Sequence, residues 1–335
     1  MGHVMSEHLN LSSQNHQPQG VSVVLPILNE ERFLVDSVAA ILAQDHQGPL
    51  EVILALGPST DGTNQIAQEI VVGDPRVLLV DNPSGRTASA LNLAIARSQY
   101  SIICRIDGHA EIDSGYISRA VNVMQETGAV NVGGIMAAVG QNPFERAVAT
   151  AMRSPLGVGA ARFHVGGSAG PADTVYLGVF QKEKLEEVGG YDERFTRAQD
   201  WELNFRLRKA GGIIWFDPEL VVTYRPRPNL RALAKQYFEY GRWRRVVIRS
   251  HKGTINLRYL APPVTVVISV LSVIFGLALK PLLLIPAALY LLGNLVGSLA
   301  IGKNLKEKVV LPIILATMHF AWGLGFLTSP KKLVN

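Results

Sequence analysis

Three long apolar stretches without a charge close this chain, at residues 261–279, 281–302 and 309–330, broken only by Lys280 and the short segment 303–308. Each matches the ~20 residues a helix needs to cross the hydrocarbon layer of a bilayer. The C-terminal quarter therefore reads as membrane, and whatever chemistry precedes it is held at a membrane surface. A lipid or lipid-linked substrate is the expected partner.

The rest of the 335 residues suits one globular unit of roughly 230 residues. A single cysteine, Cys104, excludes an intrachain disulfide and fits a reducing, cytosolic setting. It lies in the apolar run 101–106 and reads as a buried spectator rather than a nucleophile. Residues 1–20 are polar and lack the apolar core of a signal peptide, so a loose tail is expected, with the domain on the cytosolic side.

Charge is unevenly placed. Residues 225–258 hold ten Lys or Arg against one acid, Glu239, which leaves the remainder of a +5 chain net acidic. Within that segment Leu230, Leu233, Ala234, Tyr237 and Phe238 mark one apolar helix face starting after Asn229 as N-cap. A basic amphipathic helix beside a span is expected at the interface, drawn to anionic phospholipid headgroups; a basic surface helix packed on the domain is the plain alternative. Cytosolic basic flanks orient the first span outward, return the second near Lys303, Lys306 and Lys308, and send the third out again. Lys331 and Lys332 oppose that last step and leave a re-entrant or interfacial third segment open. The expected division is a tail at 1–20, a catalytic domain at 21–228, the basic helix region at 229–258 and a membrane region at 259–335.

Inside the domain, strand-like runs at 21–25, 51–56, 77–80, 101–106 and 130–139 alternate with helical stretches at 31–43, 63–71, 87–97 and 114–126. Alternation of this kind gives a mostly parallel, Rossmann-like α/β sheet whose ligands bind beyond the carboxyl ends of the strands. Those ends carry Asn29 and Glu30, then 59–62 (Ser-Thr-Asp-Gly), then Gly85 and Arg86, then 107–109 (Asp-Gly-His).

The order of these pieces resembles family-2 inverting glycosyltransferases, whose soluble domain has the GT-A fold. The resemblance runs from residue 21 to about 243: P-x-x-N-E at 26–30, S-T-D-G-T at 59–63, A-L-N at 90–92, a D-x-D-like site at 107–109, G-G-Y-D-E at 189–193, D-W-E at 200–202 and Arg242-Trp243. Among relatives it looks most like the membrane-anchored exopolysaccharide enzymes of the succinoglycan type, in which R-x-D-x-H is the usual metal motif.

The resemblance implies that Pro26, Leu28, Glu30, Asp61, Arg86 and Asp107 line a nucleotide-sugar donor, UDP-linked in expectation. Asp107 and His109 would hold a divalent cation that neutralises the departing diphosphate; imidazole suits Mn²⁺ better than Mg²⁺. Asp107-Gly108 also reads as a plain turn signal, and Asp61 as a helix-capping residue. Many members carry acids where this chain has 55–58 (Ala-Leu-Gly-Pro), which bears on base specificity. An inverting displacement needs a base for the acceptor hydroxyl, and the resemblance assigns it to Asp200. The alternative is a first-turn acid suited to the helix dipole; Glu202 is the fallback base. Arg242 and Trp243 are expected at the acceptor or diphosphate, or else as headgroup anchors. The glycine-rich segment 155–172, with His164, looks like a mobile cover for the acceptor.

No G-x-G-x-x-G follows the first strand, and no P-loop lysine or G-x-S-x-G elbow occurs. The basic segment lies beside a span without a nucleic-acid module, so no nucleic-acid partner is expected. The leading expectation is a membrane-associated, metal-dependent inverting hexosyltransferase acting on a lipid-linked saccharide. Alternatives are a polyprenyl-phosphate glycosyltransferase and a catalytically inactive scaffold, the latter prompted by His109 and Gln199 standing where acids are usual.

Overall fold

The computed structural model describes residues 19–333; the expected tail lies almost wholly outside them. Nine strands form one sheet: β1 Val21–Ile27, β2 Leu50–Leu56, β3 Val77–Asp81, β4 Ile102–Arg105, β5 Glu111–Ile112, β6 Asn131–Ala138, β7 Gly170–Pro171, β8 Tyr176–Gln181 and β9 Ile214–Tyr224. Their order is β3-β2-β1-β4-β8-β6-β9-β5, with β7 also on β9. The half β3-β2-β1-β4 is parallel, as the alternating sequence requires. Beyond it the sheet becomes mixed, because β8 runs antiparallel between β4 and β6.

Helices α1 Leu34–Leu42, α2 Thr63–Gly73, α3 Thr87–Arg97 and α4 Tyr116–Thr127 cover the sheet, with α5 Pro143–Met152, α6 Pro155–Val158, α7 Arg162–Val165, α8 Lys182–Glu187 and α9 Gln199–Lys209 following in the chain. Alternate residues of β1 enter different cores: Val21, Val23, Leu25 and Ile27 pack in one cluster and Val24 in another. A strand covered on both faces reads as a continuous apolar run, which is what residues 21–25 show.

The C-terminal part comprises α10 Leu230–Ser250, α11 Leu257–Ala278, a 3₁₀ turn at Pro281–Leu284 leading into α12 Ile285–Ile301, and α13 Leu305–Thr328. Asn229 caps α10, accepting the Ala232 N–H. Three helical segments, Leu257–Ala278, Pro281–Ile301 and Leu305–Thr328, are long and apolar enough to cross a membrane.

The packing of α10 and α13 bears on two of the open alternatives. The apolar face of α10 packs on protein: Leu233 and Tyr237 share a core with Leu311, Ile314 and Leu315 of α13, while Val246 and Val247 pack with Phe195 and Trp201. Burial against protein satisfies that face, as the alternative of a packed helix expects. Helix α13, in turn, is tied to α5 near its start and to α10 just past its end. Near its start Glu307 accepts a hydrogen bond from the Thr150 hydroxyl of α5; just past its end Arg249 of α10 donates to the carbonyls of Ser329 and Pro330.

Candidate active site

Strand β4 ends on Arg105, and the chain turns at once: the Ala110 N–H closes a turn onto the Asp107 carbonyl. The turn reading of Asp107-Gly108 is thus correct as local structure, and the turn also presents Asp107 and His109 at the ligand edge of the sheet. Helix α9 starts from Ala198, a non-glycine residue at φ 59°, and carries Asp200 in its first turn.

One guanidinium gathers these acids. The Arg105 side chain is only 5% exposed and ion-pairs Asp107 Oδ1 at 3.1 Å through Nη2 and Asp200 Oδ1 through Nη1. Its charge lies 5.8 Å from the centre of the Tyr191 ring. Among the described residues no protein group bonds Oδ2 of either acid. Burial raises the Asp200 carboxyl above its ordinary 3.8, neighbouring Asp107 adds to this, and Arg105 opposes it. Arg105 was not among the residues expected at the site; the R-x-D-x-H spacing was its signal, since residues i and i+2 of an extended segment share a face.

Two further motifs hold Tyr191 in place. Asn92 of A-L-N donates to the Tyr191 carbonyl at 2.8 Å and accepts the Tyr191 N–H at 2.8 Å, and it also donates to Glu193. Gly190 stands at φ 66°, where a Cβ would come within 2.7 Å of Asn92 Oδ1, so glycine is required there.

Glu30, expected near the nucleoside, pairs with His109 (Nδ1 to Oε1, 2.8 Å), and that hydrogen bond raises the imidazole pKa against the opposing effect of burial. The bond leaves Nε2 as the outward nitrogen. A carboxylate behind an imidazole fixes tautomer and orientation in metal sites. No group of three or more His, Cys, Asp or Glu suited to a metal occurs among the described residues; the turn after β4 presents the pair Asp107 and His109, with Asp107 Oδ2 and His109 Nε2 unbonded by protein groups among those residues. That donor set fits a hard divalent cation that also takes phosphate oxygens.

The remaining positions separate. Pro26 pairs with Ala55 inside the sheet. Leu28 is 39% exposed beside Gly57 and Gly85, at the ends of β1, β2 and β3. Arg86 lies exposed before α3, with no ion pair among the described residues. From the β3 loop to the β4 loop is three strand steps, about 14 Å, a span that suits an extended nucleoside diphosphate. Asp61 uses both oxygens to brace the loops, Oδ1 taking the Thr63 N–H and hydroxyl and Oδ2 the Glu31 N–H; the capping reading accounts for it. Glu202 is buried with Arg206 and His251, which removes it as a fallback base. Trp243 is 4% exposed and packs on Phe195, so it is core rather than an acceptor platform or headgroup anchor. Arg242 pairs with Glu239 on its own helix.

The sequence profile of glycosyl transferase family 2 matches residues 22–189. The chain belongs to that family. It is 34% identical over 311 residues to the succinoglycan biosynthesis protein ExoA of Rhizobium meliloti (strain 1021), covering 91% of this chain and 93% of ExoA. It is 23% identical over 317 residues to a Methanococcus voltae dolichyl N-acetyl-alpha-D-glucosaminyl phosphate 3-beta-D-2,3-diacetamido-2,3-dideoxy-beta-D-glucuronosyltransferase, across 91% and 95% of the two chains. Its fold resembles that of mannosyltransferase PcManGT from Pyrobaculum calidifontis, solved with GDP-Man and Mn²⁺, with a TM-score of 0.61 and 18% identity over 95% of this chain and 89% of that one. The GT-A-like fold expected from the sequence is therefore present, and this family-2 chain is a glycosyltransferase.

Proposed function

We propose that this glycosyltransferase works at a membrane, moving a hexose with inversion from a nucleoside diphosphate sugar, UDP-linked by first expectation, to a lipid-linked saccharide in surface-polysaccharide synthesis. The observation that carries the reading is the division of labour around Arg105: it takes one oxygen each from Asp107 and Asp200 and leaves the other two for chemistry. The succinoglycan and dolichyl-phosphate names of the relatives support a polysaccharide or lipid-linked acceptor.

Asp107 and His109 would hold a divalent cation, Mn²⁺ before Mg²⁺, which when bound neutralises charge on the departing diphosphate. Glu30 keeps His109 oriented. Asp200 takes the proton from the acceptor hydroxyl at Oδ2 as that oxygen bonds to the anomeric carbon. The carbon–oxygen bond to the diphosphate breaks, its electron pair leaves with the diphosphate, and Asp200 ends protonated. Arg105 lies between the charges that change.

The large exposed apolar surface of α11 and α12 exceeds what a soluble monomer carries and supports lipid contact. With α13 tied to α5 of the catalytic domain at its start and to α10 past its end, α11 and α12 form an in-and-out hairpin and α13 lies along the interface.

The test is transfer from a radiolabelled UDP-hexose to lipid extract by the detergent-purified chain with Mn²⁺. Asp107→Ala and Asp200→Asn are each expected to lower kcat by about 10²- to 10⁴-fold while circular dichroism stays that of the parent. Transfer unchanged in both variants would refute the assignment.

A further inference from the structure

A cleft of about 450 Å³ opens between segment 160–174, the end of α9 and the start of α11; Arg162, Arg208 and Arg258 line it, with Asp173 as the acid among its lining residues. Its cations are incompletely satisfied. Arg208 pairs with the exposed Asp173 at 3.2 Å and Arg258 donates to the Tyr259 hydroxyl at 2.6 Å, yet the Nε of each is buried without a hydrogen-bond partner among the described residues.

Behind them Arg244 sits between two rings, 4.2 Å from the centre of Tyr259 and 4.7 Å from that of Trp201, with Nη1 buried and unpartnered. Burial pulls Arg244 down to about 10, and Arg258 pulls in the same direction. His164, on the same segment, is pushed down to about 4 by burial and then by Arg258, and its Nδ1 is also unpartnered. Buried donors without acceptors are costly, and the unpartnered Nε groups of Arg208 and Arg258 on the lining of one cleft, with Arg244 near Arg258, mark a place for an anion with many acceptor oxygens.

The surroundings choose among anions. Arg258 stands in the first turn of the apolar helix α11, flanked by Ile255 and Leu257, which are 62% and 83% exposed. Trp201, under Arg244, directly follows Asp200 in α9.

Building on the reading of a lipid-linked acceptor, we propose that this cleft binds the phosphate or diphosphate head of that acceptor, with its lipid chain along α11 and its sugar toward Asp200. Guanidinium groups suit this ligand because their planar fork pairs bidentately with phosphate oxygens.

Binding is measured to a polyprenyl diphosphate in nanodiscs of neutral lipid, with inorganic diphosphate and phosphatidylglycerol as separate competitors. The wild-type chain is expected to retain the polyprenyl diphosphate against both. Arg244→Gln and Arg258→Gln should each weaken retention about tenfold or more, with Arg258→Lys intermediate. Arg258, half-buried at a helix start, serves if Arg244→Gln fails to fold. Wild-type affinity in Arg258→Gln, equal binding of inorganic diphosphate, or equal displacement by phosphatidylglycerol overturns the proposal. Donor hydrolysis by the wild-type chain, followed in the same discs, reports separately on the catalytic reading.

Discussion

Arg105 sets how Asp200 titrates. Burial holds the Asp200 carboxyl above 3.8, and Arg105 is the main force against that rise. Because the folded-state value is raised, its stability contribution is complete below the unfolded pKa and is lost as pH climbs through the folded one. Catalysis has the opposite need, since only the carboxylate accepts the acceptor's proton. The acid limb of kcat/KM is therefore expected above the ordinary 3.8, and Arg105→Gln should move it to still higher pH while lowering the plateau; a limb that stays put in the variant contradicts the base assignment. Asp107, His109 and Asp200 were legible because each follows a recognisable strand end or opens a helix. Arg105 hid as the last residue of a buried strand, and Trp243, placed by its motif alone, proved to be core.

The helices of the C-terminal part lie together at backbone distance. An ideal Cβ on Gly241 of α10 would come 2.0 Å from the Trp322 carbonyl oxygen, and one on Gly325 of α13 equally close to that of Phe238. A side chain at either site must drive the pair apart, at about 1–3 kcal/mol. Gly325→Val is thus expected to lower the thermal midpoint by several degrees. Gly293→Ala on α12, where a Cβ meets open space, should be neutral or slightly stabilising; equal midpoints for both variants would show that α10 and α13 do not pack this way. The sequence displayed the apolar period of these helices but not their partners, because a helix stripe looks the same against lipid and against protein. The sheet shows a similar limit: β1 to β4 follow from alternation, whereas β9 carries Asp217-Pro218 mid-strand and β8 carries Gly178, residue types depleted from strand interiors. The strand survives there because β6 shifts register against β9 between Gly133 and Ile135, and buried Asp217 is held by Arg119.

Taken whole, the molecule offers two topologies that differ at one end. Three full spans put residue 331 across the membrane from the catalytic domain; a hairpin of α11 and α12 with α13 along the interface puts it on the same side. The contacts of Arg249 with Ser329 and Pro330, and of the Ser329 hydroxyl with the Arg242 carbonyl, join the chain's end to α10, and pulling residue 331 through a bilayer would break them. The chain's only cysteine makes the question testable: Cys104 is fully buried, with its thiol pushed up to about 12, so an exposed engineered cysteine reacts against a low background. In sealed vesicles with the outer face outward, an impermeant maleimide is expected to label Lys280→Cys at the hairpin tip. Lys252→Cys, Lys303→Cys and Lys331→Cys should react only after lysis. Labelling of Lys331→Cys in intact vesicles would restore the third span and detach α13 from the surface it packs on, while protection of Lys280→Cys would turn the hairpin into a re-entrant loop that never crosses.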